Sequence, residues 1–178
     1  KGLKILNIGR LTDQKDQLTL IKSLKILKEK KVNFRCCIIG RGSLKDNLNI
    51  EIVKLNLNKN VKLVGFKNKA EEYLSHSDIF VLSSKFEGLP NVLIESQKYG
   101  VPIIASNCPT GPNEILMNGK LGELFSVGDY HNLANKLFDF SKNKKNLKLK
   151  SINAKKYLKR FDPEKNSKKY FDLLYQYV

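Results

Sequence analysis

Two short stretches of this chain hold residues able to grip a phosphorylated, hydroxyl-rich molecule. The first reads Gly9-Arg10-Leu11-Thr12-Asp13-Gln14-Lys15. Gly9 lets the backbone turn tightly and a ligand approach it closely. Arg10 can hold a phosphate through two donors, and Lys15 adds a point charge. The second reads Phe86-Glu87-Gly88-Leu89-Pro90-Asn91-Val92-Leu93-Ile94-Glu95. Glu95 stands beside Val92, Leu93 and Ile94, which read as buried, and a carboxylate in that company needs hydrogen-bond partners. Two vicinal hydroxyls of a ribose would satisfy both its oxygens. Glu87 precedes the helix expected after Pro90, where a negative charge suits the positive end of the dipole. The free amides of that helix start form an anion site. Plainer readings stand beside these: surface cations for Arg10 and Lys15, a water-facing glutamate for Glu95, and a capping role for Glu87.

The elements around these stretches decide whether they can meet. Short apolar runs alternate with amphipathic ones, which predicts a Rossmann-like α/β domain: a doubly wound parallel sheet of about six strands with helices on both faces. Strands are expected over residues 3–8, 34–39, 61–64, 79–82, 101–105 and 122–125. Helices are expected over about 15–29, 43–55 and 69–75, from Pro90 to Gly100, and briefly near Glu114. From about Asp129 the chain reads as helical, with a break near Phe161-Asp162-Pro163. Two βαβαβ halves in this order give the sheet order 3-2-1-4-5-6, with strands one and four adjacent. Their outgoing loops diverge, and ligands of such sheets bind in the crevice between them. The loops after Ile8 and Leu82 are therefore the expected site. One crevice would then combine two cations, a helix amino end and two carboxylates, a set suited to a nucleoside diphosphate joined to a sugar.

Composition narrows the classes. The 178 residues suit one domain, read as spanning 1–178. No stretch approaches the roughly 20 apolar residues of a membrane span. The opening Lys1-Gly2-Leu3-Lys4 runs straight into a strand, so no signal peptide is read, and the absent Met suggests an excised piece. Three cysteines, two of them the neighbours Cys36 and Cys37 on opposite faces of one strand, fit the reducing cytosol. Lys and Arg number 33 against 17 Asp and Glu, a net charge of +16. Most of that charge reads as lysines on solvated helix exteriors. A basic membrane-surface or anion-binding module without catalysis is the alternative. Nucleic acid is not expected as a partner, because the strands are aliphatic rather than aromatic and basic. A nicotinamide dehydrogenase is disfavoured, since Gly40-Arg41-Gly42 follows strand two and Lys45 stands where a third glycine belongs. No D-x-D, H-x-x-H or C-x-x-C spacing occurs, so no metal is expected. His76 and His131 receive no role.

The segment Glu87 to Glu95 resembles the E-x7-E motif of the retaining glycosyltransferases of family 4, which have the GT-B fold. Gly9-Arg10-Leu11 with Lys15 is similar to their G-R-L-x-x-x-K segment, and Gly40-Arg41-Gly42 to their G-x-G turn. Val64-Gly65-Phe66, the run Thr110 to Ile115 and the stretch Gly119 to Asp129 extend the likeness over nearly the whole chain. The resemblance implies the C-terminal, donor-binding half of such an enzyme, with the acceptor-binding domain outside this chain and the isolated piece inactive. It implies Arg10 and Lys15 on the diphosphate and Glu87 on the donor sugar. It also implies Glu95 on the ribose, the backbone around Phe66 and Lys67 beside the base, contacts from Gly88, Leu89, Pro90 and Asn91, and Gly42 lining the nucleotide pocket. The implied reaction is metal-independent, retaining transfer from a nucleotide sugar, a UDP-hexose or UDP-N-acetylhexosamine. The implied acceptor is a glycan or lipid-linked glycan of bacterial capsule or lipopolysaccharide, met in the cytoplasm or at the inner face of the membrane. The last helix, with Tyr170, Leu174 and Tyr177 on one side, resembles the segment that crosses back to the other domain.

Overall fold

The computed structural model describes residues 2–176. Six parallel strands, β1 (Leu3–Ile8), β2 (Phe34–Ile39), β3 (Val61–Gly65), β4 (Ile79–Leu82), β5 (Ile103–Ser106) and β6 (Glu123–Phe125), lie in the order β3-β2-β1-β4-β5-β6. That is the expected order. The connecting helices are α1 (Gln17–Glu29), α2 (Lys45–Lys54), α3 (Glu71–Ser75), α4 (Asn91–Lys98) and α5 (Pro112–Ile115). Then come α6 (Tyr130–Lys142), α7 (Lys145–Lys156) and α8 (Pro163–Leu174).

Strands β4 and β5 are almost wholly apolar and buried because both faces are covered, while Lys4, Arg35 and Lys62 stay exposed near the starts of β1, β2 and β3. Side chains alternate between two cores. Ile5, Cys36, Ile79 and Val81 join Leu20, Leu24 and Leu27 of α1 and Leu133 and Leu137 of α6 on one face. Leu6, Phe80 and Leu82 join Leu74, Leu93 and Ile115 on the other. Each fully buried leucine of α1 is worth about 1.5–3 kcal/mol of transfer free energy. Cys36 is buried and Cys37 leans on the opposite core, as the strand alternation requires.

Several boundaries differ by one or two residues from the sequence reading, and three of the differences have a visible cause. Lys15 does not begin α1; it ends a 3-10 turn, Asp13–Lys15. Asp16 then takes the left-handed conformation (φ 43°) and caps α1, accepting from the amide of Thr19 at 3.2 Å and its hydroxyl at 2.6 Å. A short carboxylate tolerates that conformation better than most side chains. Strand β5 starts at Ile103, two residues late, although the Pro102 carbonyl still accepts from the Phe80 amide at 2.8 Å. The helical run after Asp129 breaks at Asn143, which is extended, so α6 and α7 are separate.

Ion pairs fasten these late helices to the sheet. Lys144 reaches Asp78 at 2.8 Å, while Lys136 (2.9 Å) and Lys150 both reach Glu123 on β6. Burial alone would push the Glu123 carboxyl up, but the two lysines outweigh it and hold it below the ordinary value of 4.5. A depressed folded-state value gives a contribution that is complete above the unfolded value and lost as pH falls through the folded one. Acid unfolding below about pH 4.5 is therefore expected to be shallower in Glu123→Gln, which has no proton to take up. Denaturant midpoints across pH 3–6 check this, and parallel curves would refute it.

Candidate functional site

Loops from β1 and β4 leave the sheet side by side and are sewn together. The Lys85 amide donates to the Gln14 carbonyl at 2.8 Å, and the Ser83 hydroxyl to the Lys15 carbonyl at 3.0 Å. The Gln14 side-chain amide donates to the Phe86 carbonyl at 3.1 Å, and Lys85 pairs with Asp13 at 2.5 Å. At the centre Lys15 Nζ lies 2.5 Å from Glu87 Oε1, with side chains 17% and 6% exposed. The Ser84 hydroxyl donates to the same oxygen at 2.6 Å. A third loop supports this one from below: Ser106 donates to the Ser84 carbonyl at 2.6 Å, and Thr110 to the Glu87 carbonyl.

Arg10 stands at the mouth, exposed, with Nη2 donating to Gln14 Oε1 at 3.2 Å. Among the described residues no carboxylate pairs with it. Its charge is thus uncompensated, whereas that of Lys15 is shared with Glu87. Helix α4 opens at Pro90 without a side-chain cap, so the Asn91 and Val92 amides have no capping side chain, while the Leu93 amide donates to the Pro90 carbonyl at 2.9 Å. Thr12 Oγ1 and Gln17 Oε1 are buried beside the β1 loop without a protein partner, a condition that calls for water or ligand.

The glycines explain how the loops come so close. A Cβ on Gly42 would sit 2.3 Å from the Leu11 carbonyl oxygen, and one on Gly40 only 1.9 Å from that of Gly9. Gly42 therefore lets the β2 loop support the β1 loop from behind. A Cβ on Gly9 would meet only side chains, Lys15 at an ordinary 3.4 Å and Gln17 at 3.7 Å. Gly88 is exposed, with open space where a side chain would be.

Phe66 is 60% exposed after β3, with the Arg41 guanidinium 5.3 Å from its ring centre; Lys67 beside it is exposed. Leu89 and Asn91 are exposed at the start of α4 and Pro90 is buried. Glu95 corrects the sequence reading: it is exposed and makes no side-chain hydrogen bond among the described residues. The buried stripe of α4 is Leu93, Ser96 and Gln97, and a residue two places from Leu93 lies across the helix. The argument from burial therefore fails for Glu95. Its position on α4, the helix that follows the Glu87 loop, is what remains.

Ser84, Thr110, Gln14 and Gln17 were missed. A serine pair straight after β4 was the readable signal for Ser84; the glutamines gave none. Cys108, also close by, is a bystander: burial and then the nearby Glu87 push its thiol up, keeping it protonated. Next to the crevice, Thr110, Gly111, Asn113, Glu114 and Met117 line an open cleft of about 520 Å³.

Known proteins resemble this chain in sequence and in fold. An uncharacterized glycosyltransferase of Methanocaldococcus jannaschii is 49% identical over 111 residues, 62% of this chain and 27% of its own length. A Campylobacter jejuni protein, N-acetylgalactosamine-N,N'-diacetylbacillosaminyl-diphospho-undecaprenol 4-alpha-N-acetylgalactosaminyltransferase, is 32% identical over 161 residues, 90% of this chain and 43% of its own. The chain thus spans less than half the length of either relative. The crystal structure of Anabaena Alr3699/HepE in complex with UDP superposes with a TM-score of 0.89 over 98% of this chain and 49% of that one, at 22% identity, which supports the fold. It is the Rossmann-like half of the GT-B architecture. The family model described as Glycosyl transferases group 1 matches residues 1–157, and the chain belongs to that family.

Proposed function

We propose that this domain binds the diphosphate and sugar of a nucleotide sugar, UDP-hexose or UDP-N-acetylhexosamine, for retaining transfer without a resident metal. One observation carries the reading: Lys15 and Glu87, from loops on adjacent central strands, meet beneath the uncompensated Arg10 and the uncapped start of α4. Arg10, Lys15 and the α4 amides then meet charge developing on the departing diphosphate, a preorganised electrostatic role. Glu87 faces the donor sugar, and Glu95 accepts from the ribose across the crevice. The base lies by Phe66 and Lys67, with Gly9, Gly42, Gly88, Leu89, Pro90 and Asn91 lining the path between.

The complete reaction needs an acceptor domain. Helix α8 suits docking on it: none of its residues is buried, and Tyr170, Phe171, Leu173 and Leu174 are all about half exposed or more. Tyr177, expected on the same side, lies outside the described residues. The C. jejuni relative is named for a diphospho-undecaprenol acceptor. An acceptor of that kind, a lipid-linked glycan precursor of surface polysaccharide, would place this protein at the inner face of the membrane. Alone, the 178 residues should bind donor and scarcely turn over.

Calorimetry with UDP, GDP, ADP and UDP-sugars tests the site. UDP is expected to bind, and Arg10→Ala to weaken it about tenfold to a hundredfold, the worth of one charged hydrogen-bonding group. Absence of heat with every nucleoside diphosphate, from folded protein, would remove the assignment. Added divalent cation is expected to leave the UDP isotherm unchanged; a rise in affinity with magnesium would overturn the metal-independent reading.

A further inference from the structure

Residues 140–161 contain nine Lys and Arg and no Asp or Glu. Some of these cations are committed. Lys144 pairs with Asp78, Lys150 with Glu123, and Arg160 donates to the Ile115 carbonyl at 3.1 Å. Lys145, Lys148, Lys156 and Lys159 have no acidic partner among the described residues.

Helix α7 sorts these residues by face. Leu147, Ser151 and Ala154 point inward and are buried. Lys145, Leu149, Ile152 and Lys156 follow at spacings of four, three and four, on the side opposite that stripe. Leu149 is 57% exposed and Ile152 59%, so two neighbouring aliphatic side chains occupy the middle of the solvent face, flanked by lysines.

We infer that the outer face of α7 is a docking surface for an anionic lipid bilayer. This rests on the membrane-surface reading above and assigns it to particular residues. Leu149 and Ile152 would enter the headgroup boundary, while Lys145, Lys148 and Lys156 bury their stems alongside and hold their ammonium groups on lipid phosphates. A protein partner fits the face poorly, because interface cores are depleted in lysine and favour arginine and aromatic residues. A second copy of this chain would bring the same positive field against itself. Nucleic acid would use the lysines but gain nothing from the aliphatic pair. Helix α7 packs on α4, so a bilayer under α7 lies one helix away from the crevice that α4 borders.

Co-sedimentation with phosphatidylcholine vesicles, with and without phosphatidylglycerol, tests this on the 178-residue chain. Binding is expected only with phosphatidylglycerol and should fall as salt rises. Leu149→Ser/Ile152→Ser and Lys148→Glu/Lys156→Glu are each expected to reduce it about tenfold or more. Lys59→Glu/Lys62→Glu makes the same change in net charge on the β3 side and is expected to leave binding within about threefold. UDP calorimetry on every variant reports folding and the crevice separately, and all should bind UDP like the parent. If the parent binds no vesicle, both the membrane reading and this face fall while the nucleotide site stands. If the α7 variants bind like the parent, or the β3 control loses as much as they do, the face is wrong. Reduced self-association in Leu149→Ser/Ile152→Ser, with vesicle binding intact, would assign the face to a second copy and overturn the proposal.

Discussion

Lys15→Ala is expected to lower both donor affinity and transfer, the latter by about 10²–10³-fold in the complete enzyme, while Glu87→Gln leaves nucleotide affinity intact or raises it. The opposite signs follow from the 2.5 Å contact between the two side chains. Lys15 divides its charge between Glu87 and the proposed diphosphate. Removing it strands a carboxylate that is 6% exposed and keeps only the Ser84 hydroxyl, directly beneath two incoming phosphates. Breaking a buried pair from one side typically costs about 3–5 kcal/mol, so Lys15→Ala should also lower the melting temperature. Glu87→Gln instead retains a group of the same shape, releases the full ammonium charge to the ligand, and removes the anion facing the sugar. Calorimetry with UDP and a transfer assay on the full-length protein separate the two effects. A Glu87→Gln variant that loses UDP affinity as severely as Lys15→Ala would show that the pair only holds the loops together.

How much of this was visible in the residues follows from which interactions are periodic. The sheet order was legible because short, mostly apolar runs alternate with amphipathic ones, and the central β4 and β5 are nearly unbroken apolar runs, the mark of strands covered on both faces. Arg10, Lys15 and Glu87 were legible as chemistry, and the topology alone placed all three on the two loops that must converge. Their mutual geometry was not. No spacing along the chain announces a contact between residues 72 apart. Glu95 failed for a definable reason. Its sequence neighbours Val92, Leu93 and Ile94 are not its spatial neighbours, because successive residues on a helix point about 100° apart. The left-handed Asp16 was equally silent, since the helix expected over about 15–29 takes it in as an ordinary helical residue; at φ 43° it instead separates Lys15 from α1. The last lesson concerns glycine. Gly40-Arg41-Gly42 is legible as a tight turn, but the close approach of the β1 loop backbone to its glycines is not.

That close approach makes Gly40→Ala a severely damaging single methyl group to add near the crevice. The new carbon would fall 1.9 Å from the Gly9 carbonyl oxygen, well inside any contact distance, at a φ of +153° that an L side chain rarely adopts. Neither side can yield cheaply. Gly9 is held by its amide to the Ile39 carbonyl at 2.9 Å, and the Gly40 amide donates to the Gly65 carbonyl at 3.0 Å. Relief must come from pushing the β1 loop forward, which carries Arg10 and Lys15 away from Glu87. Gly42→Ala applies a milder version of the same push, 2.3 Å from the Leu11 carbonyl oxygen, at a residue without positive φ. The expected order is therefore a loss of roughly 3 kcal/mol or more for Gly40→Ala and about 1–3 kcal/mol for Gly42→Ala. In Gly42→Ala, UDP affinity should fall further than the loss of stability explains, because the folded protein itself holds Arg10 and Lys15 off position. Denaturant unfolding beside calorimetry on the same sample reads both quantities. Parent-like UDP affinity in a measurably destabilised Gly42→Ala would mean that the β1 loop is set by its own contacts, and that support from the β2 loop is not what aims the two cations.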